Sequence, residues 1–281
     1  MISLRFDGMS KPGGILNDSL EHKVIYWENS SKKTAQHNLI GEEPLSIRVQ
    51  GNPYSVVMRT PGDEMAHVAG FCLGEGIVDT PDDFTSIGFC EDDDNNVITV
   101  TLRSSRREKI PQILERRGFI SQTSCGLCGK EIVKDLYQII KPVNSEIRID
   151  INKALNSLKK LSVHQPLREK TRASHAAVLY NADFEVLSVA EDVGRHNALD
   201  KAIGKVFLQR NLDQVALATL SSRISYELVQ KAARAKLPII FAHSRPTDLA
   251  VELATQLNIT LASLDDDDKG LYIFCGKHRL I

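Results

Sequence analysis

From about residue 174 to 275 the apolar residues alternate between short strand-like runs and helical stripes, and no other feature restricts the fold of this chain as much. Residues 176–180 and 185–190 read as a hairpin. Residues 197–207 read as a helix with Leu199, Ala202, Ile203 and Val206 facing inward. A strand at 214–219, a helix at 224–235, a strand at 238–242 and a helix at 249–257 follow. Strands at 259–264 and 271–275 close the set. Alternation of elements of this length predicts an α/β sandwich.

The first third has a different pattern. Residues before about Glu21 are rich in Gly, Ser, Asn and Lys and are expected to form a flexible tail. Between His22 and Arg103, strand-like runs dominate at 24–27, 45–49, 54–59, 87–90 and 97–102, with turns expected at 51–53 and 92–96. One helix interrupts them, opened by Thr60-Pro61-Gly62-Asp63-Glu64 and striped by Met65, Val68, Ala69 and Cys72. Helical patterns recur at 109–117 and 130–140. The predicted organisation is a β-rich α+β N-terminal domain over 1–120, a cysteine loop and linking helix over 121–141, and an α/β domain over 142–281.

With 42% hydrophobic and 25% charged residues, the 281-residue chain has the composition of a globular protein with a sizeable core. A net charge of -1 gives no global attraction to nucleic acid or to an anionic membrane. No stretch approaches the roughly 20 apolar residues of a membrane helix. The opening residues lack a signal-like apolar core, and five cysteines are an odd count for a disulfide-stapled domain. A cytoplasmic protein with reduced thiols is expected.

Two of those cysteines form the motif Ser124-Cys125-Gly126-Leu127-Cys128-Gly129-Lys130, placed in a loop just before a helix. Such a pair can share a metal ion, close a disulfide or hold a reactive thiolate beside a second thiol. A zinc site would want four ligands, and the chain has no second CxxC. Glycine after each cysteine and Lys130 beside the helix start favour a presented thiolate, able to accept sulfur from a persulfide. Cys72, Cys90 and Cys275 stand alone in apolar runs and read as small core residues.

The second motif is the strand-to-helix segment Glu191-Asp192-Val193-Gly194-Arg195-His196-Asn197. Arg195 and His196 at a helix start make an anion site, unless Arg195 simply pairs with Asp192 or Glu191. The residues alone do not choose. Ser221-Ser222-Arg223 and His243-Ser244-Arg245 also follow strands and open helices. Three such strand ends predict one polar crevice at the carboxyl edge of the sheet, suited to an anion with several phosphates. Arg59 and Thr60, at another strand end, are candidates to join it.

Taken together these segments resemble the FdhD family, the formate dehydrogenase accessory sulfurtransferases. The resemblance is carried by Glu42-Glu43-Pro44-Leu45, Met58-Arg59-Thr60-Pro61-Gly62-Asp63, the cysteine motif, His175-Ala176-Ala177, residues 191–201, Ser225-Tyr226-Glu227-Leu228 and Leu249-Ala250-Val251-Glu252. It implies a fold like cytidine deaminases in the C-terminal half, although the deaminase zinc motif is missing after His175. It also implies a sulfur carrier and homodimer. Sulfur would pass from a cysteine desulfurase of the IscS type to the molybdenum cofactor, a bis(molybdopterin guanine dinucleotide), before insertion into formate dehydrogenase. Cys125 would carry the persulfide and Cys128 would assist, with no metal assigned. Cofactor binding, which a guanine nucleotide would mimic, would fall to Arg195, His196 and the segment Leu264, Asp265, Asp266, Asp267, Asp268 and Lys269. The family's segment there is basic; four aspartates in this chain would repel a phosphate. The alternatives are a molybdenum-cofactor chaperone without sulfur chemistry, and an intermolecular zinc site shared across a dimer.

Overall fold

Residues 18–90, 96–108 and 140–281 are described by the computed structural model. The helices expected at 109–117 and 130–140, and most of the turn at 92–96, lie outside these residues.

The second half builds one six-stranded sheet from β7 (His175–Tyr180), β8 (Val186–Asp192), β9 (Leu217–Leu220), β10 (Ile239–Ala242), β11 (Thr260–Leu264) and β12 (Leu271–Cys275). Their spatial order is β12-β11-β10-β9-β7-β8. β9, β10 and β11 run parallel, and β7 and β12 run against their neighbours. The three parallel strands are buried throughout, which explains why they read as unbroken apolar runs rather than alternating ones. The ends of β8, β9, β10 and β11 therefore meet the starts of β7 and β12 at one edge.

The N-terminal part forms β1 (Ser19–Glu28), β2 (Ser31–Ile40), β3 (Glu43–Val49), β4 (Asn52–Arg59), β5 (Phe84–Phe89) and β6 (Val97–Leu102). β1 and β2 make a separate two-stranded ribbon, and the other four make a sheet of order β4-β3-β6-β5. β1 begins at Ser19, within the last residues of the expected tail, and residues 1–17 of that tail lie outside the described residues. β2 has no counterpart in the predicted set: its sequence, Ser-Lys-Lys-Thr-Ala-Gln-His-Asn-Leu-Ile, has little apolar alternation, and the strand exists by pairing with β1 in unbroken register from Ser31 to Ile40.

Seven helices complete the described residues: α1 (Glu64–Gly74), α2 (Ser104–Arg107), α3 (Ile151–Lys159), α4 (Pro166–Thr171), α5 (Arg195–Leu208), α6 (Tyr226–Arg234) and α7 (Asp248–Gln256). α3 caps one face of the six-stranded sheet, where Ala154 and Leu158 meet Val178, Leu217 and Phe241. The other face is covered by α5, α6 and α7, and its core runs on without a break into α1 and the inner face of the four-stranded sheet, through Val68, Phe71, Leu45, Ile47 and Ile98. α1 is buried along nearly its whole surface, as a helix between two layers must be.

Two glycines make that sandwiching possible. A methyl group on Gly70 of α1 would overlap the Asp200 carbonyl oxygen of α5, and one on Gly204 of α5 would overlap the Ala66 carbonyl oxygen of α1. The helices cross backbone to backbone, and only hydrogen side chains fit there. The mixed α/β architecture expected from the sequence is the one observed. Boundaries move by a few residues; β9, for one, starts at Leu217 because Leu212–Gln214 still turns as a 3-10 helix.

Candidate functional site

Asp192 ends β8 fully buried, and its carboxylate organises the turn that follows. Oδ2 accepts from the Thr60 amide at 3.0 Å and from Lys201 Nζ at 2.7 Å; Oδ1 accepts from the Gly194 amide at 2.8 Å and from Asn197 Nδ2 at 2.9 Å. Lys201 also donates to the Thr60 carbonyl at 2.7 Å, and the Thr60 hydroxyl accepts from the Val193 amide at 3.0 Å. The end of β4 and the start of α5 are thus one hydrogen-bonded unit. Three neutral donors and a lysine satisfy a buried carboxylate that would otherwise be costly.

This unit corrects two expectations. Thr60 is a structural tie, and Arg59 is fully buried between Glu43 and Glu64, each at 3.2 Å, with Asn96 Oδ1 at 2.8 Å. Neither belongs to an open crevice. Arg195 is also not the partner of Asp192 or Glu191. Glu191 accepts from the amides of Leu167 and Arg168, at 2.8 and 3.0 Å, and from the Ser174 hydroxyl.

Arg195 and His196 stand together at the start of α5, as predicted. His196 Nε2 lies 2.8 Å from Glu227 Oε2 and 3.3 Å from Ser225 Oγ, both from the opening of α6. That hydrogen bond holds the Glu227 carboxyl below the usual range. The Nε of Arg195 is buried and makes no hydrogen bond among the described residues.

His175, the first residue of β7, is not marked as a binding residue by the sequence alone. It pairs in register with Asp192, so it opens onto the same edge. Its Nδ1 is buried and also makes no hydrogen bond among the described residues. Burial, then the charges of Arg195, Arg168 and His196, hold its pKa below the usual imidazole range. The available signal was its position: a histidine at the strand start that faces the crevice.

Next along the edge, Ser221 follows β9 and accepts from the Ala176 amide at 2.8 Å, and His243, after β10, has its Nε2 3.1 Å from the Leu158 carbonyl oxygen. Arg245 is exposed but engaged: it donates to Asp266 at 2.6 Å and stacks 4.9 Å from the centre of the Tyr272 ring, whose hydroxyl donates to Asp266 at 3.1 Å. The acidic turn is self-organised, with Asp265 Oδ1 accepting from the Lys269 amide at 2.7 Å. Leu264 points into the core, so its side chain is not on the edge, whereas Asp265, Asp266, Asp267, Asp268 and Lys269 are. Cys125 and Cys128 lie outside the described residues.

Fold and edge together define a mixed α/β protein with a basic pole at one end of the sheet edge and an acidic turn at the other. The chain belongs to the FdhD/NarQ family, whose model matches residues 40–281. It is 33% identical over 266 residues to a protein of Streptomyces avermitilis named "Sulfur carrier protein FdhD", covering 92% of this chain and 94% of that one. A protein of the same name from Mycolicibacterium paratuberculosis is 38% identical over 244 residues, covering 83% and 89%. Among solved structures, one described as a formate dehydrogenase accessory protein from Desulfotalea psychrophila superposes with a TM-score of 0.75 over 94% of this chain and all of that one, at 22% identity. At that identity the likeness speaks for the fold.

Proposed function

We propose that this chain is a sulfur carrier that serves a formate dehydrogenase. The Cys125 thiolate attacks the terminal sulfur of a cysteine desulfurase persulfide, the desulfurase cysteine leaves as thiolate, and Cys125 holds the sulfur as its own persulfide. Cys128 assists as a nearby thiol. The acceptor is the molybdenum cofactor, bound as substrate in its bis(molybdopterin guanine dinucleotide) form at the carboxyl edge of the six-stranded sheet, before delivery to apo-formate dehydrogenase in the cytoplasm. The carrier works as a homodimer.

One observation carries this reading: kinship along nearly the whole length with proteins named sulfur carriers, in a chain that has the paired thiols Cys125 and Cys128. The edge supports the choice of acceptor. Buried nitrogens on Arg195 and His175, unpaired among the described residues, suit a polyanion. The carboxylates of Asp265 to Asp268 suit the N–H edge of guanine better than its phosphates.

The test is intact-protein mass spectrometry after incubation with a cysteine desulfurase and free cysteine. Wild type is expected to gain the mass of one sulfur atom, reversed by reductant, and Cys125→Ala to gain none. Loading that persists in Cys125→Ala would overturn the assignment. No gain on wild type would favour a cofactor chaperone without sulfur chemistry.

A further inference from the structure

α5 and α6 are joined by two ion pairs set one helical turn apart. At the carboxyl edge His196 Nε2 lies 2.8 Å from Glu227 Oε2 and 3.3 Å from Ser225 Oγ. Four residues further along each helix, Lys231 Nζ donates to Asp200 Oδ2 at 2.8 Å. The i, i+4 spacing keeps both pairs on one face of each helix. The order of charge reverses between them: α5 offers a basic group and then an acidic one, α6 an acidic group and then a basic one. The inner pair is nearly sealed, its side chains 2% and 11% exposed, and the Lys231 ammonium also sits 5.5 Å from the centre of the Phe71 ring. Breaking a pair that deep is strongly destabilising, so it locks the spacing of the two helices. The outer pair adds little to that lock. Its side chains are 29% and 57% exposed, and so open an ion pair contributes about 0–1 kcal/mol. What distinguishes it is its place. The two carboxylates nearest to Arg195 in sequence are engaged elsewhere, Asp192 by four donors and Glu191 by three. Glu227 instead lays its carboxylate on the basic pole itself, where the charges of His196 and Arg195 both act on it.

We propose that Glu227 is a displaceable counter-ion: its carboxylate holds His196 Nε2 while the edge is empty, and an incoming anion takes its place. The choice of an anionic acceptor rests on the sulfur-carrier reading; the competition for His196 rests on the two helices. A carboxylate only accepts, so Nε2 carries a proton, and that one N–H can serve Glu227 or a ligand oxygen. An anion arriving there also meets the like charge of Glu227. Glu227 therefore lowers the affinity of every anion and selects against those too weakly held to displace it, which makes it a specificity residue acting by repulsion. Its side chain can swing away without moving α6, because Asp200 and Lys231 keep the helices in place one turn below. Swung out, it remains in the first turn of α6, where a negative charge is favourable.

Isothermal titration of the full chain with inorganic pyrophosphate tests this. Glu227→Gln keeps the shape of the side chain and removes its charge. It should bind pyrophosphate about two- to fivefold more tightly than wild type, the fold-change equivalent of an exposed ion pair. Glu227→Ala, a second way to remove the charge, should tighten binding as well. Asp213→Asn removes an exposed carboxylate just before β9, at the opposite end of the sheet, and should match wild type, which separates local competition from net charge. In a His196→Gln background the gain from Glu227→Gln should largely vanish. Unchanged or weaker binding in both Glu227 variants would overturn the proposal. A full gain that persists in the His196→Gln background would do the same, as would absence of binding in wild type and both variants. Binding that appears only once Glu227 is replaced would support it. Persulfide loading of wild type keeps the two readings apart. If Cys125 fails to load while the Glu227 variants bind pyrophosphate more tightly, the carrier reading falls and the counter-ion stands. If loading is normal while affinity is indifferent to Glu227, the carrier stands and the counter-ion falls.

Discussion

Asp192 and Lys201 form an ion pair with almost no exposed surface, 0% and 2% of their side chains. Removing one partner leaves the other charge buried and unanswered, typically a loss of about 3–5 kcal/mol. Asp192→Ala is therefore expected to lower the urea midpoint sharply, and the double substitution Asp192→Ala with Lys201→Met should recover part of that loss. His67 poses a second question at this scale. It is fully buried in α1, and burial, then the charges of Lys201, Lys231 and Arg59, hold its pKa well below the usual range against a smaller opposing contribution from Asn197. The unfolded chain takes up the proton first, at about pH 6.5, so the neutral ring's contribution is complete above that value. It is lost as pH falls from there towards the native pKa. Stability measured by denaturant titration should drop from about pH 7.5 to about pH 5.5 more steeply in wild type than in His67→Gln. Equal slopes would refute it. None of this network was legible in the sequence. Thr60 and Asp192 lie 132 residues apart, and a turn motif such as Asp192-Val193-Gly194-Arg195 does not reveal which side chain will meet the carboxylate.

Among elements, the crossing of α1 and α5 is the tightest constraint. Neither helix can retreat at Gly70 and Gly204, because each lies on the partner's backbone rather than on a flexible side chain. Gly204→Ala should cost about 1–3 kcal/mol or more through overpacking, despite the better helix propensity of alanine. Thermal unfolding reads this directly; a melting temperature at or above wild type would show that the helices can separate. The elements themselves were largely readable. Strong periodicity placed β7, β8, α5, α6, β10, α7, β11 and β12 within a few residues. α4 escaped notice because its six residues, Pro-Leu-Arg-Glu-Lys-Thr, offer one buried apolar side chain, Leu167, and no period. Of the candidate site, Arg195 and His196 were legible from the strand-to-helix turn, while His175 was not, because its meaning depends on β7 running against β9.

For the whole molecule, the continuous core joining Leu45, Ile47 and Phe71 to Ala218, Ile240 and Leu261 makes the two sheets thermodynamic partners. Far-ultraviolet circular dichroism and tyrosine absorbance should then report one coincident urea transition. Two resolved transitions would mean that each sheet holds together alone.

The β1–β2 ribbon contributes no residue to that core, although β2 packs against α4. It carries the chain's single tryptophan, Trp27, 59% exposed and beneath the Lys32 ammonium. Intrinsic tryptophan fluorescence is therefore a private gauge of this hairpin and blind to the interior. An optical signal that in most proteins tracks global unfolding will here record the fraying of a two-stranded arm, and the melting of the interior has to be followed through the tyrosines instead.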